Sequence, residues 1–475
     1  MHHACAAELR AILGADGLVE DRSRRTAYEC DGLAFERRLP DLVLLPRDTP
    51  EAAACMRVLR RHGVPVVPRG AGTGLTGGAT PVAGGVVIGT ARMRRVLELN
   101  VTDRFARVES GLVNADLTRA CAPHGLFYAP DPSSQRACTI GGNVANNAGG
   151  PHCFRYGNTT RHVLGLVVVT HDGEVLDLSE PELDPLGYDL VGLLVGSEGM
   201  FGLVTEVTLR LTPSPQRVET LLAIFPSLDA ACDAVSDVIA QRLEPSALEI
   251  LDKLTIEAVE ASVFAAGYPA SAEAVLLIEV EGSDVEVEVN ANEIEAILAG
   301  RGALELRRAQ TEAERARLWA ARKGAYGAMG RVAPDLYVTD VVVPRTKLRD
   351  LVHRTTEICR ERGLKIANVF HAGDGNLHPN ISYDRRDADE LARVLDAGTR
   401  IMEVCIAAGG TLSGEHGIGL EKQQQMRLYF SPEDLAAMEL PRHVFDPEGR
   451  MNPGKTLPIR ACMETRTKPL DEVTR

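Results

Sequence analysis

The chain has 475 residues, 45% hydrophobic and 25% charged, a globular composition that excludes a fibrous or wholly disordered polymer and accommodates about two or three packed units. Its 52 basic residues are outweighed by 66 acidic ones, giving a formal charge of −14. No Lys/Arg-rich run interrupts this balance, which argues against a nucleic-acid groove or an anionic membrane surface as partner.

The ten cysteines contain no CxxC pair, which excludes the usual zinc-ribbon, thioredoxin and ferredoxin spacings. With no signal-like N-terminus, scattered thiols predict a reduced, cytoplasmic protein. The longest apolar runs, such as Val163–Val169 and Leu190–Val195, fall far short of the roughly 20 residues that span a bilayer. Any membrane association is therefore expected to be peripheral and to run through a partner.

In chain order, a helical pattern over Ala4–Leu13 leads into an irregular polar stretch. A strand–helix–strand unit follows: strand Asp41–Leu45, a helix from Thr49 or Pro50 stopped by His62-Gly63, and strand Val64–Val67. Short strands are expected at Gly85–Ile88, Val96–Leu99 and Phe105–Glu109, with helices at Asn114–Ala122 and Asp189–Val195. Near Pro213 the composition shifts, which places a domain boundary there. Beyond it, strands at Leu221–Phe225, Ala247–Leu251 and Ala274–Val280 alternate with helices at Leu228–Gln241 and Val285–Ala299. Long helical patterns cover Glu312–Met329, Thr346–Arg362 and Asp387–Ala408. The fold class is α+β, with a polar tail after Pro458.

The string Arg69-Gly-Ala-Gly-Thr-Gly-Leu-Thr-Gly-Gly78 follows a strand, and Gly72, Gly74 and Gly77 satisfy GxGxxG. A dinucleotide-binding turn needs its last glycine to open a helix facing the pyrophosphate. Ala-Thr-Pro81-Val-Ala-Gly84-Gly85 cannot form that helix, so an NAD reading fails on context. A nest of free backbone N–H groups around an anionic phosphate survives. An isolated Gly-rich stretch could equally be a hairpin loop. Two further small-residue runs, Thr139–Gly150 and Gly196–Gly202, point instead to an extended cofactor threading among three segments.

In the second half, His371-Ala-Gly-Asp-Gly-Asn-Leu-His378 follows a strand-like Lys365–Phe370. A reversal at Asp374-Gly375 would bring the two imidazoles together across a hairpin. Two neutral imidazoles and a carboxylate make a three-ligand site for a borderline divalent cation. Glu415, in Ser413-Gly-Glu-His416-Gly-Ile-Gly419, is the candidate carboxylate, and adjacent His416 is a candidate base. HExxH is absent, so a zinc-protease reading has little support.

The glycine loop, Pro130-Asp-Pro-Ser-Ser134, the IGGNVANNAGG run, GSEGMFG, HAGDGNLH and GEHGIG occur in that order. Together they resemble the FAD-linked oxidases of the vanillyl-alcohol oxidase type, in the D-2-hydroxyacid dehydrogenase branch. That branch holds glycolate oxidase flavoprotein subunits, D-lactate dehydrogenases and D-2-hydroxyglutarate dehydrogenases, and the likeness covers about residues 35–457.

The resemblance implies a two-subdomain FAD-binding domain of the PCMH type over residues 1–215 and an α+β substrate-binding cap over 216–420. A C-terminal segment, 421–457, would return to the FAD domain, and 458–475 would be the tail. Residues 69–78 (Arg69, Gly70, Ala71, Gly72, Thr73, Gly74, Leu75, Gly77 and Gly78 among them) would hold the pyrophosphate. Pro132, Ser134, Gly141, Gly142, Asn146, Gly149 and Gly202 would line the rest of the cofactor, with contributions from Asn376 and Asn452. Relatives with covalent flavin often carry His at the position of Thr73, so FAD is expected to bind non-covalently.

The resemblance also makes His371, His378 and Glu415 ligands of a divalent metal (Zn, Mn or Fe), and His416 the catalytic base. Asn380 becomes a substrate or flavin contact and Arg322 the clamp on a substrate carboxylate. On sequence alone Arg322 is one of several arginines on its helix, each of which could be a solvated surface group. The D-2-hydroxyglutarate enzymes carry a Lys in the segment where this chain has Tyr337-Val-Thr-Asp340. That absence favours a small monocarboxylate such as glycolate or D-lactate over a dicarboxylate.

The implied reaction is oxidation of a small D-2-hydroxy acid to the 2-oxo acid, with hydride passing to the flavin. No internal iron–sulfur relay is expected. Electrons would leave to a separate acceptor: an iron–sulfur subunit, a quinone or a cytochrome. The alternatives are a D-2-hydroxyglutarate dehydrogenase and a flavin-binding subunit whose partner carries the catalysis. The joint presence of His371, His378, Glu415 and His416 argues against the latter.

Overall fold

A computed structural model describes residues 3–179 and 187–458; most of the polar tail lies outside the described residues. The N-terminal helix runs His3–Gly17 and turns sharply at Gly14. The strand–helix–strand unit forms as expected, with Asp48 capping the helix Thr49–Arg61 through a hydrogen bond from Glu51 N at 2.9 Å. The strands Leu42–Leu44, Val86–Gly89 and Val66–Arg69 lie parallel in a four-stranded sheet closed at its other edge by Leu18–Val19. Leu9, Leu44, Met56, Leu59 and Ile88 fill its core.

The second subdomain is a five-stranded antiparallel sheet in the order Val96–Asn100, Phe105–Glu109, Leu203–Arg210, Val163–Val169, Val175–Leu178. The helices Asn114–Cys121 and Ile140–Asn146 pack on it through Leu117, Ile140 and Val144. The helix Ile140–Asn146 falls within the small-residue run 139–150, to which the sequence reading assigned no element. Thr139 caps it by accepting from Gly142 N at 3.3 Å, and Asn147 ends it with φ +50°.

From Arg217 onward the chain builds one branched nine-stranded sheet, running Glu305–Arg308, Arg217–Phe225, Ala274–Gly282, Ala247–Asp252, Lys365–His371, Asn376–Leu377, Val341–Val342. Pro379–Tyr383 and Asp335–Val338 branch from Lys365–His371. Period-two alternation sends Leu221, Ala223 and Phe225 to one face, under the helices Leu228–Ala240, Asp284–Gly300, Leu348–Glu361 and Ala388–Ala407. Leu222 and Ile224 face the other way, against Ile256, Val259, Leu318 and Trp319 of the helices Lys253–Glu260 and Glu312–Ala328. Covered on both sides, these strands read in the sequence as unbroken apolar runs. The helix expected from Thr346 begins at Leu348, after a 3₁₀ turn following Pro344.

The last described segment reaches back to the first domain. Val66 N donates to Arg450 O at 2.9 Å, Asn452 N donates to Val66 O at 2.7 Å, and Phe445 stacks on Phe201 with ring centroids 5.1 Å apart. The site therefore lies in a cleft walled by both domains.

Candidate active site

The loop after Val66–Arg69 stays irregular and no helix opens at Gly77, as expected. Gly72 has φ +73°, and a β-carbon there would collide with the Arg69 guanidinium, so only glycine lets the loop close. That guanidinium is engaged: Nη1 donates to Cys30 O at 2.8 Å and the group lies over the Tyr28 ring. Arg69 lines the cleft, and its side chain ties the loop's base to Cys30.

The cleft encloses about 590 Å³ and is lined by Gly70–Thr76 and Gly78 on one side, with Pro132, Ser134, Gly141, Gly142, Asn146 and Gly149 opposite. Ser197–Gly199 and Gly202 form its floor, and Phe264, Arg322, Tyr326, Val338, His378, Asn380, Glu415 and His416 close it from the cap. The lining of the first domain is almost entirely backbone and small side chains, which suits a long ligand held by N–H groups.

On the cap side, the strand Lys365–His371 reverses through Gly375, at φ +80°, and returns as Asn376–Leu377. The reversal sets the His371 and His378 rings 5.1 Å apart. Glu415 Oε1 lies 3.2 Å from His371 Nε2 and 3.4 Å from His378 Nε2, so three ligand atoms converge. His371 Nδ1 is taken by Glu249 Oε1 at 2.7 Å, which leaves Nε2 as the ring's ligand atom. His378 Nε2 is buried with no hydrogen-bond partner. A buried, unpartnered imidazole nitrogen beside a second imidazole and a carboxylate fits a borderline divalent cation. Burial works against the charged form of Glu415, yet His371, His378 and His416 outweigh it and bring the carboxylate to about 2.

His416 stacks on His378 with centroids 5.0 Å apart. Burial lowers it to about 4, so the ring is neutral at physiological pH and able to accept a proton. Its loop is held from both domains. Asp340 Oδ2 accepts from Ser413 Oγ at 2.7 Å and from Gly414 N, Glu415 N and His416 N at 2.9, 3.1 and 3.0 Å. From the first domain, Asn146 Nδ2 donates to His416 O at 2.9 Å. Glu198 accepts from Ile418 N and Gly419 N at 2.7 and 2.8 Å.

Arg322 lines the cleft, but its Nε and Nη2 lie 2.6 and 2.5 Å from Glu249 Oε2, with Nη2 also 3.4 Å from His371 Nδ1, so only Nη1 is not committed to this buried pair. Asn380 lines the cleft with Nδ2 donating to His378 O at 2.7 Å. Three expected cofactor residues are not brought to the cleft wall. Gly77 packs against Leu33 and Leu420, Asn376 lies beneath Gly414, and Asn452 bridges Gly78 O and Glu198 O at 3.0 and 2.6 Å.

Sequence reading missed Asp340, Glu249 and Glu198. All three are charged residues almost wholly buried. The signal was an acid inside an apolar strand, as in Ala247–Asp252 for Glu249, and such an acid needs a cationic or N–H partner.

Residues 40–179 match the family model for an FAD binding domain, and residues 214–456 match that for the C-terminal domain of FAD linked oxidases. The chain belongs to the FAD-linked oxidase family, and its two-domain architecture is of the PCMH type. It is 47% identical over 438 residues to the glycolate oxidase subunit GlcD of Escherichia coli (strain K12), covering 92% of this chain and 88% of that one. It is 39% identical over 449 residues to GlcD of Bacillus subtilis (strain 168), covering 94% and 95%. It is 32% identical over 455 residues to a D-lactate dehydrogenase of Anaerostipes hadrus, covering 94% of each. Among solved structures, p-cresol methylhydroxylase with bound substrate shares the fold at a TM-score of 0.81 and 14% identity, covering 96% of each chain. Among the described residues no helix is long and apolar enough to cross a membrane.

Proposed function

We propose that this protein is an FAD-dependent dehydrogenase of small D-2-hydroxy acids, glycolate or D-lactate, producing the 2-oxo acid. The observation that carries the reading is the meeting of His416, Arg322, His378 and Glu415, with His371 behind the last two, on one wall of the cleft whose other walls are the small-residue segments. The likeness to glycolate oxidase subunits and D-lactate dehydrogenases supports the substrate class.

Residues 70–78 and the segments 132–149 and 197–202 would hold FAD non-covalently, and it would supply hydride acceptance. Thr73 stands in that loop where a covalent linkage would call for a histidine. Arg322 orients the substrate carboxylate with the part of its fork that Glu249 leaves open. His416, neutral and buried, takes the hydroxyl proton. His371, His378 and Glu415 would hold a divalent ion (Zn, Mn or Fe), whose charge would stabilise an alkoxide. Val338 contributes an apolar wall, and Lys323, the other cap cation there, is engaged by Asp131 at 2.8 Å. Among the described residues of the cap that line the cleft, a second substrate carboxylate therefore meets no unengaged cation, which favours a monocarboxylate over 2-hydroxyglutarate.

Electrons would leave the site to a separate acceptor: an iron–sulfur subunit, a quinone or a cytochrome. The test is turnover of the isolated chain with a dye acceptor on a panel of D- and L-2-hydroxy acids. Activity confined to small D-acids and glycolate supports the reading. Absence of turnover with metal and FAD both loaded would overturn it in favour of a flavin-binding subunit whose partner carries the chemistry.

A further inference from the structure

Behind the cleft a second buried ionic cluster joins the two domains. Asp131 and His152 belong to the FAD-binding domain; Glu279, Arg315, Trp319 and Lys323 belong to the cap. His152 lies between two carboxylates, with Nδ1 2.9 Å from Asp131 Oδ2 and Nε2 3.0 Å from Glu279 Oε1. Glu279 is buried and also accepts from Trp319 Nε1 at 2.6 Å and from Arg315 Nε and Nη2, both at 3.0 Å. Lys323 Nζ donates to the same Asp131 Oδ2 at 2.8 Å and lies over the Trp319 ring.

The cluster is tied to the proposed chemistry at both ends. Asp131 immediately precedes Pro132–Ser134, which line the cleft. Lys323 immediately follows Arg322 on the helix Glu312–Ala328. One turn of that helix thus grips Glu249 through Arg322 and the flavin-side loop through Lys323. Gly150 permits the closeness, since a β-carbon there would lie 2.6 Å from the Asp131 carbonyl.

We propose that Asp131 and His152 are positioning residues that lock the Arg322 helix of the cap onto the Pro132–Ser134 wall of the FAD site. Cofactor retention and the placement of Arg322 are then coupled through one set of charges. Burial opposes the charged ring of His152, but Asp131 and Glu279 outweigh it and hold it near 10, so the lock is closed at neutral pH. Removing one partner leaves the others buried and uncompensated, which is costly.

The link to Arg322 rests on the function proposed above; the link to FAD does not. The test uses the full-length, FAD-loaded chain with Asp131→Asn, His152→Gln and Lys323→Met, and Lys323→Arg as the conservative variant. FAD release is read from the rise in flavin fluorescence, the flavin's setting from its visible circular dichroism, and Arg322 placement from KM against kcat in dye-coupled turnover. The expected result is FAD release faster by about tenfold or more for Asp131→Asn and His152→Gln, with altered dichroism and a raised KM. Lys323→Arg should restore most of the loss seen with Lys323→Met. The Asp131→Asn/Lys323→Met double variant should lose less than the sum of the two single losses. Unchanged FAD release and dichroism in folded Asp131→Asn and His152→Gln, or strictly additive losses, overturn the proposal. If no 2-hydroxy acid is turned over, release and dichroism still decide it.

Discussion

Gly149 of the FAD-binding domain lies so close to the Glu415 carboxylate of the cap that a β-carbon on it would collide with Oε2. The absence of a side chain in one domain therefore sets the position of a candidate ligand in the other. Gly149→Ala should push Glu415 out of line with His371 and His378 while the chain still folds. Metal affinity is expected to fall by about 10–100-fold, with turnover following it, by analogy with disturbed ligand orientation. Metal analysis after dialysis against a graded chelator checks this, and an unchanged affinity would separate Glu415 from the cation.

His416→Ala removes the proposed base, which stacks on His378, and leaves His371, His378 and Glu415 themselves in place. Bound flavin and metal content should stay at the starting level while kcat falls by about 10²–10⁴-fold. Wild-type turnover in that variant would take the base role away from His416.

Asp340→Ala removes the carboxylate that accepts from Ser413, Gly414, Glu415 and His416 and faces Lys422. Four donors and a buried ammonium are then left without a counter-charge, and the loss of stability should be about 3–5 kcal/mol. Asp340→Asn keeps an acceptor oxygen and should lose less. Denaturant midpoints of the two variants check the order.

Much of this architecture was legible. The strand–helix–strand unit at 42–69 was readable because Asp48, Pro50 and Gly63 mark the helix ends and the apolar periods change between elements. The cap's central strands were readable because both of their faces are covered, so their apolar runs are continuous. The ordered glycine-framed motifs exposed the cleft. The partners of charge were not legible. Glu249, Asp340 and Glu198 lie 122, 75 and 220 residues from the groups they hold at His371, Glu415 and Ile418, and no local period encodes such a pairing. The long-range contacts of the motif residues were likewise hidden: the Arg69 side chain donates to Cys30 O, and Asn452 Nδ2 to Gly78 O and Glu198 O.

His152 gives a pH dependence with a definite sign. Its folded value, near 10, lies above the ordinary 6.5, so the folded state binds a proton that the unfolded chain has lost between those values. The contribution is fully present below about pH 6.5 and is lost as pH rises toward 10, with a slope of up to about 1.4 kcal/mol per pH unit. The groups facing it are Asp131, Glu279, Trp319 and, through Asp131, Lys323. Thermal unfolding of His152→Gln across that range should be flatter than that of the parent protein, and parallel profiles would contradict the assignment.

The most direct measurement mixes the FAD- and metal-loaded chain anaerobically with one equivalent of D-lactate, L-lactate or glycolate and follows the oxidised-flavin absorbance. No acceptor or partner is needed, so only the meeting of the cap's side chains with the flavin cleft is tested. Rapid bleaching by D-lactate or glycolate, negligible bleaching by L-lactate and a loss of bleaching in His416→Ala are the predicted results. A flavin that stays oxidised with every one of these acids, in protein shown to hold both FAD and metal, would contradict the account.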